Sequence, residues 1–276
     1  MWSGNFIAVK YAIAELPPLL VMGVRTIMAG ILMAPVFLSA PRHPEEKVRI
    51  RQQFWILAAV GLGGVVLNQL LFTLALGKTS VAHSSLIVST TPISILLLAR
   101  LMGQERLSSL KVVGMLIALS GVALIQFTPA KSDGATVAGD LLSLSGSITF
   151  AAFTVFGKVV TRNHSGITIN AFAYIGGAIA LLPFVLYMGW EIDPFSISLR
   201  ACLSLLYMAV FPSVLCYVGY FYALNYVPAS QVAVFAYLQP AIATFLAVPL
   251  LGESISSSLV MGGAIALLGV AITQRG

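Results

Sequence analysis

The chain has 276 residues, of which 59% are hydrophobic and 9% charged, and its mean hydropathy is +0.98. A soluble domain carries about 25% charged residues, so this composition excludes an ordinary water-soluble protein. The formal net charge of +6 rests on 15 Lys and Arg that gather in particular loops, a pattern of membrane orientation and not of nucleic-acid binding.

In chain order, apolar segments fall at 1–13, 18–39, 54–77, 81–102, 107–127, 138–160, 168–189, 199–225, 229–251 and 256–273. All but the first are about long enough to cross a hydrocarbon core at ~1.5 Å per residue. A spanning β-strand would instead alternate apolar and polar over roughly 10 residues. The reading is therefore an all-α membrane protein of ten transmembrane helices. Cys202 and Cys216 have neither metal-ligand nor disulfide-framework spacing and read as packing residues.

The two halves match without gaps at an offset of 148. Pro92 meets Pro240, Glu105 meets Glu253, Gly114 meets Gly262, and Gly121 meets Gly269. Lys10 meets Lys158 and Pro35 meets Pro183. The expected organisation is a first five-helix repeat at 1–128 and a second at 129–276. Five is odd, so the second repeat is inverted. Residues 139–148 have no counterpart, so the chain is expected to start inside its first helix. Arg42, Lys47, Arg49, Arg51, Arg100, Arg106, Lys111, Lys158, Arg162 and Arg275 then share one side, against Lys78, Lys131 and Arg200 on the other. This predicts both termini in the cytoplasm.

No nucleotide loop, zinc-protease motif or nucleophile elbow is present, and His43, His83 and His164 are far apart in sequence. No acidic residue is mid-span. Enzyme chemistry, metals and cofactors are not expected. Inverted repeats do build a transport site between their halves. Pro92 and Pro240 should kink equivalent helices. Around them lie Asn68, Gln69, Phe72, Thr91, Tyr217, Tyr220, Tyr237 and Gln239, with Asn5 on the first segment. Ser143, Ser147, Phe150 and Thr154 step along one helical face. Polar groups facing lipid are costly, so these faces should look inward. Asn5, Asn68, Gln69, Phe72, Thr91, Thr154, Tyr217, Tyr220, Tyr237 and Gln239 form the expected substrate lining. Lys10 and Arg25 are the deepest cations and candidate contacts for a carboxylate. Gly114-Ala118-Gly121 and Gly262-Ala266-Gly269 read as faces for close helix packing.

At Trp2-Ser3-Gly4-Asn5-Phe6, Lys10, Pro17-Pro18, Gly23-Val24-Arg25, the two proline helices, and Glu105-Arg106-Leu107 with Glu253-Ser254-Ile255, the chain resembles the drug/metabolite transporter superfamily in its EamA-like branch. The resemblance covers essentially the whole chain. It implies ten helices around a central cavity and export of small metabolites across a bacterial inner membrane. The start of the chain is similar to exporters of cysteine and O-acetylserine. Aromatic amino-acid exporters and nucleotide-sugar carriers are the alternatives within carriers, and a non-transporting receptor or scaffold is the alternative outside them. The expected partners are a small-molecule substrate and the lipid bilayer. The small multidrug-resistance relatives use a first-helix carboxylate, and this first helix has no acid before Glu15.

Overall fold

A backbone in lipid must satisfy its own N–H and C=O groups, and helix does so within one segment. The computed structural model describes residues 1–41, 44–104, 108–127, 136–161, 164–226, 238–253, 255 and 257–275. Its helices are α1 Trp2–Ile13, α2 Pro18–Ser39, α3 Pro44–Gln52, α4 Phe54–Leu76, α5 Val81–Leu101, α6 Ser109–Phe127, α7 Val137–Thr161, α8 Gly166–Gly189, α9 Leu199–Tyr226, α10 Leu238–Leu251 and α11 Ser257–Arg275. Among the described residues, α2, α4, α5, α7, α8 and α9 are long and apolar enough to cross a membrane, while α6, α10 and α11 hold shorter apolar stretches. Helix α3 falls where the sequence reading had only a connection. Glu45 and Glu46 in its first turn and Arg49 and Arg51 in its last complement the helix dipole. Trp55, Tyr187, Trp190 and Phe195 are largely exposed near helix ends, as in an aromatic interfacial belt.

The elements repeat as the sequence does. Shifting α6 by 148 places it on α11, and shifting α1 places it on the C-terminal half of α7. A π-helical turn interrupts α4 at Leu62–Val66 and α9 at Ala209–Leu215, again in register. In the first turn Gly63 and Gly64 relax the chain, and in the second Pro212 removes a backbone donor. Helices also pack on their counterparts: α2 on α8 and α6 on α11. Likewise α1 packs on α9 as α7 packs on α4, and α5 packs on α7 as α10 packs on α1.

Helix α5 breaks at Ser89–Thr90, and Pro92 opens the next helical piece. The carbonyl four residues before Pro92 belongs to Val88. It accepts from the Thr91 hydroxyl. Thr90 and Ser89 likewise donate to the Ile87 and Leu86 carbonyls at 2.7 and 2.6 Å. The kink therefore satisfies its own backbone.

Two carboxylates staple helix ends. Glu15 accepts from Ser198 N–H at 2.8 Å and from the Ser198 hydroxyl. Those hydrogen bonds hold its carboxyl below the usual carboxylate range. Glu253 accepts from Val81 N–H at 2.8 Å and Ala82 N–H at 3.2 Å, capping free donors at the start of α5. Its repeat partner Glu105 lies outside the described residues. Glu253→Ala is expected to destabilise the fold by about 1–2 kcal/mol, read as a lower apparent melting temperature in detergent. An unchanged temperature would show that the cap carries no weight.

Candidate functional site

Residues from both halves enclose a cavity of about 100 Å³. Helix α1 brings Trp2, Asn5 and Phe6, and α2 brings Arg25. Asn68, Gln69 and Phe72 come from α4, with Val88, Thr91 and Ile95 from α5. Across from them stand Ser143, Gly146, Ser147 and Phe150 of α7, Tyr217 and Tyr220 of α9, and Gln239 of α10. Among the described residues, no lining residue comes from α6, α8 or α11.

Four pairs of these residues are related by the offset of 148: Trp2 with Phe150, Gln69 with Tyr217, Phe72 with Tyr220, and Thr91 with Gln239. The cavity thus sits where the matching helices meet. Its two walls are not chemically equal, because each pair joins unlike residues. Thr91 and Gln239 each stand next to a repeated proline, Pro92 or Pro240, and both prolines are buried.

The aromatic wall is a set of edge contacts. The Trp2 ring lies 5.8 Å from Phe150 at 86°, 5.8 Å from Tyr217 at 70°, and 5.5 Å from Tyr220. Phe6 and Phe72 meet at 4.9 Å and 77°. Such edge-on arrangements set each ring's positive rim against a neighbour's face.

The polar groups are held from behind. Arg25 is buried, and its Nε donates to Ser213 Oγ at 2.9 Å. Ser213 in turn donates to the Met208 carbonyl at 2.7 Å, within the π-helical turn. Gln69 Nε2 donates to the Tyr174 hydroxyl. Asn68 Nδ2 donates to the Gly146 carbonyl at 2.7 Å, which ties α4 to α7. Thr91 and Ser147 hydroxyls pair at 2.6 Å. Three buried atoms on lining residues have no hydrogen-bond partner among the described residues: Asn5 Oδ1, Gln69 Oε1 and Arg25 Nη1. A buried polar group without a partner costs free energy, so these atoms suit a polar ligand. Arg25 offers donors and a positive charge. The two amide oxygens offer acceptors.

Other expected residues fall elsewhere. Thr154 stands behind the wall, its hydroxyl 2.9 Å from that of Tyr220. Lys10 does not line the cavity; its Nζ donates to the Thr79 carbonyl at 2.7 Å. Tyr237 lies outside the described residues. Trp2, Phe6, Val88, Ile95, Ser143, Gly146, Ser147 and Phe150 line the cavity and were absent from the expected lining, although Ser143, Ser147 and Phe150 were expected on an inward face. The match of Trp2 to Phe150 was the available signal for one of them. Tyr174 and Ser213, which hold Gln69 and Arg25 in place, carried no signal in the sequence.

The sequence profile of the EamA-like transporter family matches residues 1–127 and, a second time, residues 137–275. The chain belongs to the EamA-like transporter family. It is a multi-pass membrane transporter of the drug/metabolite transporter superfamily and not an enzyme. It is similar to an uncharacterized transporter of Archaeoglobus fulgidus, with 30% identity over 99% of this chain and 93% of the relative. It is also similar to YedA, an uncharacterized inner membrane transporter of Escherichia coli K12, with 25% identity over 93% of this chain and 81% of the relative. A crystal structure shares its fold with a TM-score of 0.71 at 19% identity, over 99% of this chain and 92% of the other.

Proposed function

We propose that this EamA-family transporter exports small metabolites, amino acids or their derivatives, as a secondary transporter working by alternating access. In this reading the chain forms ten transmembrane helices as two inverted five-helix halves, 1–128 and 129–276. Both termini face the cytoplasm of a bacterium, and the protein lies in its inner membrane. One observation carries the reading: the residues lining a cavity between the matching helices include a buried guanidinium and two buried amides, each with one atom that has no hydrogen-bond partner among the described residues, beside an aromatic wall. That is the complement of a zwitterion with a small apolar side chain. Arg25 takes the carboxylate. Asn5 and Gln69 oxygens take the ammonium. Trp2, Phe72 and Tyr220 contact the side chain.

The cavity of about 100 Å³ suits a small metabolite. A nucleotide-sugar carrier calls for several cavity cations, and Arg25 is the one Lys or Arg among the described lining residues. A receptor or scaffold needs no such polar cavity.

Proteoliposomes holding the purified protein and labelled L-cysteine, O-acetyl-L-serine, L-serine or L-phenylalanine test this. Asn5→Ala and Gln69→Ala each remove an amide oxygen assigned to the ammonium. Each is expected to lose about 1–3 kcal/mol, about a 5- to 150-fold fall in efflux per molecule in the membrane. Normal efflux in both variants would place the site elsewhere.

A further inference from the structure

Away from the central cavity, a groove of about 650 Å³ lies where α1 packs on both α9 and α10. Helix α1 lines it with Gly4, Ile7, Ala8 and Tyr11, the spacing of one helical face. The cavity residues Trp2, Asn5 and Phe6 belong to another face of α1, so this helix separates the two recesses. From Gly4 to Tyr11 the groove follows about 10 Å of helix. Leu199, Leu203 and Leu250 on its rim are exposed, so it opens towards lipid along that length.

The interior asks for no hydrogen bond. Two tyrosine hydroxyls reach it, and both are already spent. Tyr11 donates to the Leu250 carbonyl at 2.9 Å, and Tyr207 donates to the Met1 carbonyl at 2.8 Å. At the deep end a Cβ on Gly4 would lie 2.5 Å from the Tyr207 hydroxyl, so the groove stops there. Among the described residues, none that line it holds a buried polar atom without a partner. Aliphatic walls with satisfied polar atoms suit an alkyl chain, which costs no desolvation of polar groups to bury.

The other end is charged. The Arg200 guanidinium sits 4.9 Å from the centre of the Tyr11 ring. It forms no salt bridge among the described residues, so its fork of donors is left for an anion. Glu15 stands beside it. After the Ser198 hydrogen bonds, the charge of Arg200 also lowers the pKa of the Glu15 carboxyl. The connection leading into α9 adds Glu191 and Asp193, while Arg200 is the one cation among the described residues that line the groove. Two further charges at this end are turned to α5: Lys10 donates to the Thr79 carbonyl, and Glu253 accepts from Val81 and Ala82. Trp190 and Phe195, exposed in the same connection, mark the membrane–water interface. The charged mouth therefore lies at headgroup level.

We propose that this groove binds one phospholipid whose headgroup carries a primary ammonium, a phosphatidylethanolamine. Its phosphate takes charge-assisted hydrogen bonds from Arg200. Its ammonium donates to Glu15, whose oxygens keep free lone pairs beyond the two bonds from Ser198. One acyl chain lies along α1 as far as Gly4 and Tyr207. A headgroup of net negative charge fits worse, because it meets Glu15, Glu191 and Asp193 as well as Arg200. A trimethylated headgroup has the right charge and no N–H for Glu15. Seated on the far face of α1 from Asn5 and Phe6, the lipid braces a wall of the central cavity without entering it.

Native mass spectrometry of the purified full chain in detergent tests this. The protein is offered equal amounts of dioleoyl phosphatidylethanolamine, phosphatidylcholine and phosphatidylglycerol. The wild type is expected to retain one phosphatidylethanolamine about tenfold or more over either of the others, as for a hydrogen bond to a charged group. Arg200→Gln should cut that retention by about tenfold or more, and Arg200→Lys should recover part of it. Glu15→Gln can still accept from Ser198 and should bring phosphatidylethanolamine down to the level of phosphatidylcholine. Leu203→Trp fills the groove from its exposed rim and should lose the bound lipid. Lipid-free melting temperatures near the wild-type value show that the variants are folded. Equal retention of the three lipids by the wild type, retention of none, or a preference for phosphatidylglycerol overturns the proposal. Selective retention that survives unchanged in both Arg200→Gln and Leu203→Trp places the lipid elsewhere and overturns it too. These outcomes involve no transport substrate, so the export reading stands or falls separately.

Discussion

Arg25→Gln is expected to cut efflux of a carboxylate-bearing substrate by about 10- to 150-fold, since a hydrogen bond to a charged group contributes about 1.5–3 kcal/mol. The guanidinium is already oriented: Nε is spent on Ser213, which leaves Nη1 without a partner. The loss should be specific. In the wild type, L-cysteine should outcompete cysteamine, its decarboxylated analogue; in Arg25→Gln the two should compete about equally. Arg25→Lys keeps the charge and loses the fork, so it should recover only part of the efflux. The same arrangement predicts an opposite effect on stability. An unpaired buried cation destabilises the empty protein, so Arg25→Met should raise the melting temperature without substrate while abolishing efflux. Equal losses for L-cysteine and cysteamine would remove Arg25 from carboxylate recognition.

The repeat was readable because both copies must build the same helices. Pro35 and Pro183 lie inside α2 and α8, and Gly121 and Gly269 lie in the α6–α11 pair, so matched residues serve matched geometry. The π-helical turns were not readable. One copy uses Gly63-Gly64 and the other Pro212, two different chemistries for one backbone irregularity. Helix α3 was missed because a polar run of Pro, Glu, Lys and Arg reads as a connection until its charge order along the dipole is considered.

The cavity was legible as far as polarity in an apolar helix is informative. Asn5, Asn68, Gln69 and Gln239 stand out there, and all four line the cavity. What each polar group already bonds was not legible. Lys10 and Arg25 look alike in sequence, yet Lys10 is occupied by a carbonyl, whereas Arg25 keeps an unpartnered nitrogen. His83 read only as one of three histidines far apart in sequence. Its pairing with Asp140 joins residues 57 apart, a proximity that only the packing of α5 on α7 creates.

Gly121→Leu is expected to lower membrane abundance severely, and Gly121→Ala to do so in part. Helices α6 and α11 approach through Gly114, Ala118 and Gly121 against Gly262, Ala266 and Gly269. A Cβ on Gly121 would lie 2.5 Å from the Gly262 carbonyl oxygen and would also strike the Ala266 backbone nitrogen. On Gly114 it would meet Thr273 N at 2.5 Å and the Gly269 oxygen at 2.6 Å. These are backbone atoms, so the helices must separate. In lipid, association rests on such close van der Waals contact, and overpacking costs about 1–3 kcal/mol. Gly176 has open space where its Cβ would go, so Gly176→Ala is the control and should be near neutral. Because the described residues of α6 and α11 contribute nothing to the cavity lining, the Gly121→Ala molecules that do reach the membrane should transport at close to the wild-type rate per molecule. Normal abundance of Gly121→Leu with complete loss of efflux would mean that this helix pair, and not the central cavity, holds the transport site.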